Sequence, residues 1–369
     1  MRIVYVLTTL GMGGAERQVS ALAERMATRG HAVSLIVLRP RQPEEWSTTV
    51  DRVYLDMRKT PVGLFAGFAR GRRYLRAFEP ELIHSHVFPA NMAARVLRLC
   101  ISAPVISTVH NVYEGLWPRM LAYRLTDPLC CWTTAVSQSA ADRYVRLKAV
   151  PARKCSVLSN GIDTAELVPD PERRARTRVA MGAGEGEEFV WLAAGRIAPA
   201  KDYPNLLHAF ARVRKEAPQA RLWIAGESAG PKTGAVQAMA AKLGIKASVR
   251  LLGLRRDMPG LFDASDGFVL ASAWEGMPLA LGEAMAMEKL VVATDVGGVR
   301  ELAGDCGSIV PARSSNALAE AMLELMQRTR EVRGLMGRAA RERILAHFSM
   351  EAKADEWEAL YRRVLARNA

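Results

Sequence analysis

Two carboxylates eight residues apart frame the stretch Ser272-Ala273-Trp274-Glu275-Gly276-Met277-Pro278-Leu279-Ala280-Leu281-Gly282-Glu283-Ala284-Met285. A strand-like run ends near Ala271, and Pro278 suits the first position of a helix, where its missing N–H costs nothing. Glu275 then falls in the loop ahead of that helix and Glu283 in its second turn. The N–H groups of Gly276, Met277 and Leu279 are expected to form an oxyanion site at the helix start. A carboxylate on either side of it can grip hydroxyls of a sugar and of a ribose. The plainer reading of the same residues is a surface helix with a capping acid.

A second set is cationic. Arg196 and Lys201 follow the strand-like run Phe189–Gly195, and two fixed cations there would neutralise a diphosphate, above all a departing one. Gly11-Met12-Gly13-Gly14-Ala15-Glu16 lies between the first strand and a helix, where glycines let backbone N–H groups approach a phosphate or sugar. It is not a dinucleotide fingerprint, because Glu16 stands where the third glycine belongs and Arg39 ends the next strand. Gly226-Glu227-Ser228-Ala229-Gly230-Pro231-Lys232-Thr233 imitates a P-loop, but Pro231 has no N–H to offer a phosphate, and an ATPase site is rejected. His84, His86 and His110 fit a three-histidine metal site less well than a set of hydrogen-bonding residues, since no carboxylate supports them. The chain contains no Asp-x-Asp to hold a metal–diphosphate complex, so no metal is expected.

Positioning these groups requires strands whose carboxyl ends converge. Apolar, β-branched runs alternate with helix-like segments, as in βαβ units covered on both faces. In the first half strands are expected at Arg2–Thr9, His31–Leu38, Glu81–Ser85, Pro104–Val109 and Trp132–Ser137. In the second they are expected at Phe189–Gly195, Ala220–Gly226, Ser248–Gly253, Gly267–Ala271, Leu290–Thr294 and Gly307–Val310. Asp170–Glu188, rich in Pro, Gly, Arg and Glu, reads as the boundary. Trp357, Leu360, Tyr361 and Leu365 recur at helical spacing in the final segment. The expected α/β fold has two doubly wound domains, 1–169 and 170–349, with helix 350–369 following the second sheet. Ligands of such sheets sit outside the carboxyl ends of the strands.

Taken together, these elements resemble the retaining glycosyltransferases of family 4. Glu275–Glu283 resembles the E-x7-E motif, and Gly195-Arg196-Ile197-Ala198-Pro199-Ala200-Lys201 the G-R-x4-K segment. Gly11–Gly14 resembles the N-terminal glycine loop, Ser159-Asn160-Gly161-Ile162-Asp163 the junction N-G-[IV]-D, and Thr294-Asp295-Val296-Gly297-Gly298 the late glycine turn. The resemblance covers essentially the whole chain in order. It implies a GT-B fold, two Rossmann-like domains facing each other across a cleft, with the acceptor domain first and the nucleotide-sugar donor domain second. The final helix would cross back onto the first domain. Arg196 and Lys201 would hold the diphosphate, Glu275 the transferred sugar, and Glu283 the ribose. Gly276, Met277, Pro278 and Leu279 would line the donor site. His110 would lie beside the anomeric carbon, with Gly13 and Gly14 at donor phosphate or sugar. Asp202 departs from the family pattern, standing where Gly often follows the lysine, and Ala280 and Gly282 replace bulkier residues. No carboxylate is an evident nucleophile beside His110, which favours front-face departure of the diphosphate over the two-carboxylate route of retaining glycosidases.

The expected function is therefore metal-independent transfer of a sugar, from a UDP-sugar above others, to a hydroxyl of a glycan or lipid-linked acceptor. The nucleotide sugar is a substrate, and no cofactor is implied. The alternatives are a nucleotide-sugar epimerase of the same fold and a non-catalytic protein that binds sugar nucleotides or nucleic acid. Residues 1–165 carry 22 Lys+Arg against 12 Asp+Glu, and the rest 29 against 26, so an anionic partner is sought for the first half. Nucleic acid is disfavoured, because all the charged donor-site positions are present. Between Met57 and Phe78, Arg58, Lys59, Arg70, Arg72, Arg73 and Arg76 flank the apolar Leu64, Phe68, Leu75 and Phe78 without an acid. That pattern suits an anionic bilayer surface, or else a helix packed on the first sheet. MRIVYVLTTL runs straight into a strand without a secretory pattern, no apolar stretch is long enough to span a bilayer, and five unpaired cysteines fit a reducing compartment. The expected location is cytoplasmic, peripheral on the inner face of the membrane.

Overall fold

The computed structural model describes the chain except residues 43–44, 185–187, 227–230 and 369, with the side chains of 231 and 232 also left aside. Two compact units emerge, Met1–Gly161 with Ser349–Ala369, and Ile162–Phe348. The break falls at Gly161/Ile162, ahead of the expected position after residue 169. The P-loop-like run includes 227–230, which lie outside the described residues.

In the first unit the order is β1 (Arg2–Leu7), α1 (Gly14–Thr28), β2 (Ala32–Val37), β3 (Asp51–Tyr54), α2 (Pro61–Phe78), β4 (Leu82–His86), α3 (Phe88–Leu97), β5 (Val105–Val109), α4 (Trp117–Leu125), β6 (Trp132–Ala135), α5 (Gln138–Arg146) and β7 (Cys155–Val157). The sheet runs β3-β2-β1-β4-β5-β6-β7, with every pairing parallel. Its central strands are buried on both faces, as crossover helices require, with residues 3–7 of β1 apolar and polar His84, Ser85, His86, Ser107 and Thr108 buried on β4 and β5. Helix α2 turns its apolar stripe inward. Leu75 is buried, and Phe68 and Phe78 pack on the core, so most of the stripe proposed for a bilayer is spent on the sheet. Gly67 makes this possible, since a Cβ there would lie 2.3 Å from Met57 Cγ. Val62 and Phe65, at the start of α2, remain exposed.

The second unit contains α6 (Pro171–Ala180), β8 (Phe189–Ala194), α7 (Tyr203–Glu216), β9 (Ala220–Ala225), α8 (Pro231–Lys242), β10 (Val249–Gly253), α9 (Met258–Ala264), β11 (Gly267–Leu270), α10 (Leu279–Ala286), β12 (Leu290–Thr294), α11 (Val299–Ala303), β13 (Ser308–Val310), α12 (Ser315–Gln327) and α13 (Arg330–His347). Its sheet is β10-β9-β8-β11-β12-β13, again parallel throughout. The presumed linker contains α6, capped by Asp170, whose carboxylate accepts from the N–H groups of Glu172 and Arg173. The last helix, α14 (Met350–Ala366), lies in the first unit against α1.

Strand order in each sheet reverses beside the first strand of the unit, between β1 and β4 and between β8 and β11. In open parallel sheets that switch point is where ligands are held, outside the carboxyl ends.

Candidate functional site

At the carboxyl end of β8, Gly195 leads into the turn Pro199–Lys201. The N–H of Ala273 donates to Ala200 O at 2.8 Å, tying the loop after β11 to the loop after β8. Across that tie Lys201 Nζ lies 2.5 Å from Glu275 Oε1, and Ser272 Oγ donates to the same oxygen at 2.7 Å. Glu275 is only 9 % exposed. A buried carboxylate needs such partners, because desolvation otherwise favours its neutral form.

The late glycine turn supports this loop from beneath. Thr294 Oγ1 donates to Ser272 O at 2.6 Å, and the Gly298 N–H to Gly276 O at 2.7 Å. Gly297 has φ 56°, and a Cβ on it would lie 2.3 Å from Glu275 O. A side chain there would displace the backbone that carries Glu275, which explains a glycine in that motif.

Pro278 is the residue before α10, one position earlier than expected, with extended φ and ψ of −76° and 110°. The first N–H groups of α10, beginning with Leu279, lack intrahelical acceptors by construction. Glu283 is buried in the second turn of α10. Gly276, Met277 and Pro278 connect the two carboxylates. Arg196 is exposed and forms no ion pair among the described residues. Asp202, the departure from the family pattern, has φ 44° and ψ 50°, and its carboxylate accepts the Asn205 N–H as the cap of α7. Aspartate is one of the few residues other than glycine that visits this left-handed region routinely, so the substitution preserves the turn after Lys201.

In the first unit Gly13 caps α1 and Gly14 begins it. Glu16, in the first turn, lies against Gly13 and accepts from Thr9 Oγ1 at 2.9 Å. This carboxylate makes the helix start a better partner for hydroxyls than for a phosphate.

His84 and His86 sit on β4, and His110 follows β5. His84 Nδ1 is 2.7 Å from Tyr361 Oη, and its Nε2 is 2.7 Å from Thr108 Oγ1. With both nitrogens engaged, His84 is no metal ligand, and the three-histidine site is not formed. Nor do the described residues contain any other group of three or more His, Cys, Asp or Glu placed to hold a metal. His86 Nδ1 lies 3.0 Å from His110 Nε2. Burial drives all three imidazoles down in pKa, His110 to about 4, so near neutrality they are uncharged. The His110 N–H donates to Glu114 Oε1 at 3.0 Å. Burial raises the pKa of that carboxylate, which also accepts from Tyr123 Oη at 3.1 Å.

Two parallel sheets wound with helices on both faces, each with polar side chains gathered at its switch point, define the GT-B architecture. Residues 12–166 match the model described as Glycosyltransferase Family 4, and residues 188–328 the model described as Glycosyl transferases group 1. The chain is 26 % identical to an alpha-D-kanosaminyltransferase of Streptomyces kanamyceticus, across 94 % of this chain and 98 % of that protein. It is 24 % identical to the UDP-Gal:alpha-D-GlcNAc-diphosphoundecaprenol alpha-1,3-galactosyltransferase of Escherichia coli, across 78 % and 77 % of the two chains. Among solved structures, Anabaena HepE in complex with UDP and glucose superposes with a TM-score of 0.85 at 20 % identity, covering 98 % of this chain and 99 % of that one. The chain is a glycosyltransferase of the GT-B type.

Proposed function

We propose that the chain moves a sugar from a UDP-sugar to a hydroxyl of a glycan or lipid-linked acceptor, with retention and without a metal or other cofactor. The observation that carries this reading is the Lys201–Glu275 pair, set at 2.5 Å by loops from two adjacent strands. Without ligand each ion neutralises the other. An incoming diphosphate draws the Lys201 ammonium toward its own oxygens and joins it to Arg196, which frees Glu275 to accept hydrogen bonds from the sugar hydroxyls. Cation and carboxylate are thus readied by one event. Glu283 takes the ribose, and the N–H groups of Gly276, Met277 and Leu279 meet the phosphates. In the first unit, His110 with Gly13 and Gly14 are the residues that the family resemblance assigns to the sugar, and the nearby Glu16 favours hydroxyls at the two glycines. As the diphosphate leaves, Arg196 and Lys201 stabilise the growing charge, and the acceptor hydroxyl enters from the same face, its oxygen bonding the anomeric carbon as the bond to the diphosphate breaks and its proton passing to the departing diphosphate oxygen.

The Escherichia coli galactosyltransferase uses UDP-Gal by its name, and UDP is bound in the HepE structure, which supports the choice of base. A thermal-shift screen of UDP-, GDP- and ADP-sugars tests it, since a ligand at about 100 times its Kd stabilises by about 2.7 kcal/mol. Only the UDP-sugar is expected to raise Tm by several degrees, and a flat response to every UDP-sugar would refute the assignment. Transfer is expected to survive EDTA, and the product anomer is expected to match the donor's. Activity lost on chelation and restored by magnesium or manganese would overturn the role given to Arg196 and Lys201. Conversion of free UDP-sugar without acceptor would instead favour an epimerase.

Peripheral attachment to the inner face of the membrane is supported by a different helix from the one expected. No helix among the described residues is long and apolar enough to cross a membrane. Helix α4, however, leaves Trp117 72 % and Leu125 70 % exposed, with Leu116 and Leu121 beside them. Arg124 and Arg143 line the groove next to this face. Aromatic and aliphatic side chains rimmed by cations suit the headgroup region of an anionic bilayer. Sedimentation with phosphatidylglycerol vesicles at low salt is expected to pull down the protein but not a Trp117→Ser/Leu121→Ser variant. Equal sedimentation of the two would rule out this face.

A further inference from the structure

His86 is 1 % exposed, too deep to meet a substrate, yet its Nδ1 is 3.0 Å from Nε2 of His110. Two neutral imidazoles at that separation share one proton. One ring donates and the other accepts, and in each the second nitrogen takes the opposite role. The tautomer of His86 therefore fixes the tautomer of His110.

The second nitrogen of His86 decides between the two arrangements. His86 Nε2 is buried with no hydrogen-bond partner among the described residues. The ring lies against that of His84, tilted at a centroid distance of 4.0 Å, and is stacked on that of Tyr5 at 6.0 Å, with His84's own nitrogens already engaged by Tyr361 and Thr108. An orphaned buried N–H is the rarer outcome in folded proteins, so Nε2 is the bare nitrogen and the proton sits on Nδ1. His86 then donates to His110 Nε2, and His110 carries its own proton on Nδ1. That Nδ1 is not among the buried atoms and has no partner among the described residues.

The backbone next to His86 is held under strain. Val87, the residue after it, has φ 69° and ψ 152°. That region is essentially reserved for glycine, and a β-branched side chain there is a genuine outlier. Two hydrogen bonds hold it, Val87 N–H to Thr108 O at 3.1 Å and Asn91 N–H to Val87 O at 2.9 Å. The first fastens the end of β4 to β5, two residues before His110. The Glu114 carboxylate fixes the His110 main chain from the other side.

We infer that His86 is a positioning residue that holds His110 as a hydrogen-bond donor at Nδ1. On the reading that His110 meets the sugar, it gives a hydrogen bond to a substrate oxygen and takes no proton from the acceptor hydroxyl. The inference is tested first without substrate. Nitrogen-15 NMR of the labelled full-length protein is expected to show His110 protonated at Nδ1 and His86 at Nδ1. A His110 proton on Nε2 would overturn it. His86→Asn keeps an N–H near the position of Nδ1 and is expected to stay within about fivefold of the parent kcat. His86→Leu removes the donor, and is expected to lower kcat roughly 10- to 100-fold, as loss of an orienting partner does elsewhere, with KM for the donor little changed. Parent turnover in a folded His86→Leu variant would refute the positioning role. Parent turnover in His110→Ala would refute the substrate contact itself, a failure that the NMR result distinguishes from a wrong tautomer.

Discussion

Replacing Glu275 by alanine is expected to lower kcat by about 10²–10³-fold, the scale seen when one preorganised group is removed from charge developing in a transition state. Lys201→Ala is expected to do the same. The two differ in their effect on stability, and the ion pair explains why. Lys201 keeps a path to water, whereas Glu275 is 9 % exposed and would retain only the Ser272 hydroxyl at 2.7 Å. Lys201→Ala therefore leaves a largely buried carboxylate short of a partner, at a cost of about 1–3 kcal/mol. Glu275→Ala frees a long, flexible ammonium that reaches solvent, and costs less. The double variant should be more stable than Lys201→Ala alone, a coupling that a double-mutant cycle by urea denaturation reads directly. Near-parent turnover in either single variant would remove Lys201 and Glu275 from the chemistry. Additive stability losses would mean that the pair is not formed in solution.

The legibility of these elements depended on whether apolar residues or ions did the packing. The expected strands are all present because each carries a run of β-branched or aliphatic residues. The two strands without a prior expectation, β3 with sequence DRVY and β7 with CSV, form the outer edges of the first sheet. Edge strands this short bury too little to leave an apolar signature. Helix α6 was hidden for another reason. Arg173 bonds Asp263 at 2.5 Å, Arg174 bonds Asp266 at 2.7 Å, and the fully buried Arg178 reaches Ala264 O at 2.9 Å. Arginines replace the apolar stripe that periodicity detects, and the segment reads as a polar linker. Within the site, the spacing from Glu275 to Glu283 and the glycines at 297 and 298 were visible as motifs. The pairing of Lys201 with Glu275 was not, because it joins residues 74 apart through the Ala273–Ala200 backbone bond. Val87 carried no signal at all, since nothing in its type reveals a positive φ. The type of His86 signals only its nitrogen atoms, and the fold shows that one of them, Nδ1, meets His110.

Trp357→Ala is expected to destabilise the first unit by about 3–5 kcal/mol, the usual cost of emptying a core aromatic site. Helix α14 follows the second unit in sequence, but Met350, Ala354, Trp357, Leu360, Tyr361 and Val364 belong to the core that also contains Ile3, Tyr5, Val19 and Leu22. Polar contacts fix the same helix. Tyr361 Oη lies 2.7 Å from His84 Nδ1 and 3.1 Å from Tyr5 Oη, so Tyr361→Phe leaves two buried polar atoms short of a partner, at about 1–3 kcal/mol. On the outer face, Arg29 meets Glu351, Asp355 and Glu358. The carboxylates of Glu351 and Asp355 are mostly exposed, so each pair contributes about 0–1 kcal/mol. The apolar seam outweighs the charge cluster, which predicts an ordering. Urea denaturation followed by circular dichroism should rank the losses as Trp357→Ala, then Tyr361→Phe, then Arg29→Ala, with truncation before Ser349 leaving the first unit unfolded. That first unit carries the hydrogen-bonded His84 and the neighbouring His86–His110 pair, so the truncated chain should also lose transfer while the second unit retains its donor-induced stabilisation. A truncated protein that melts like the parent would show that α14 does not complete this core, and an Arg29→Ala loss exceeding that of Trp357→Ala would show that ions and not packing hold it there.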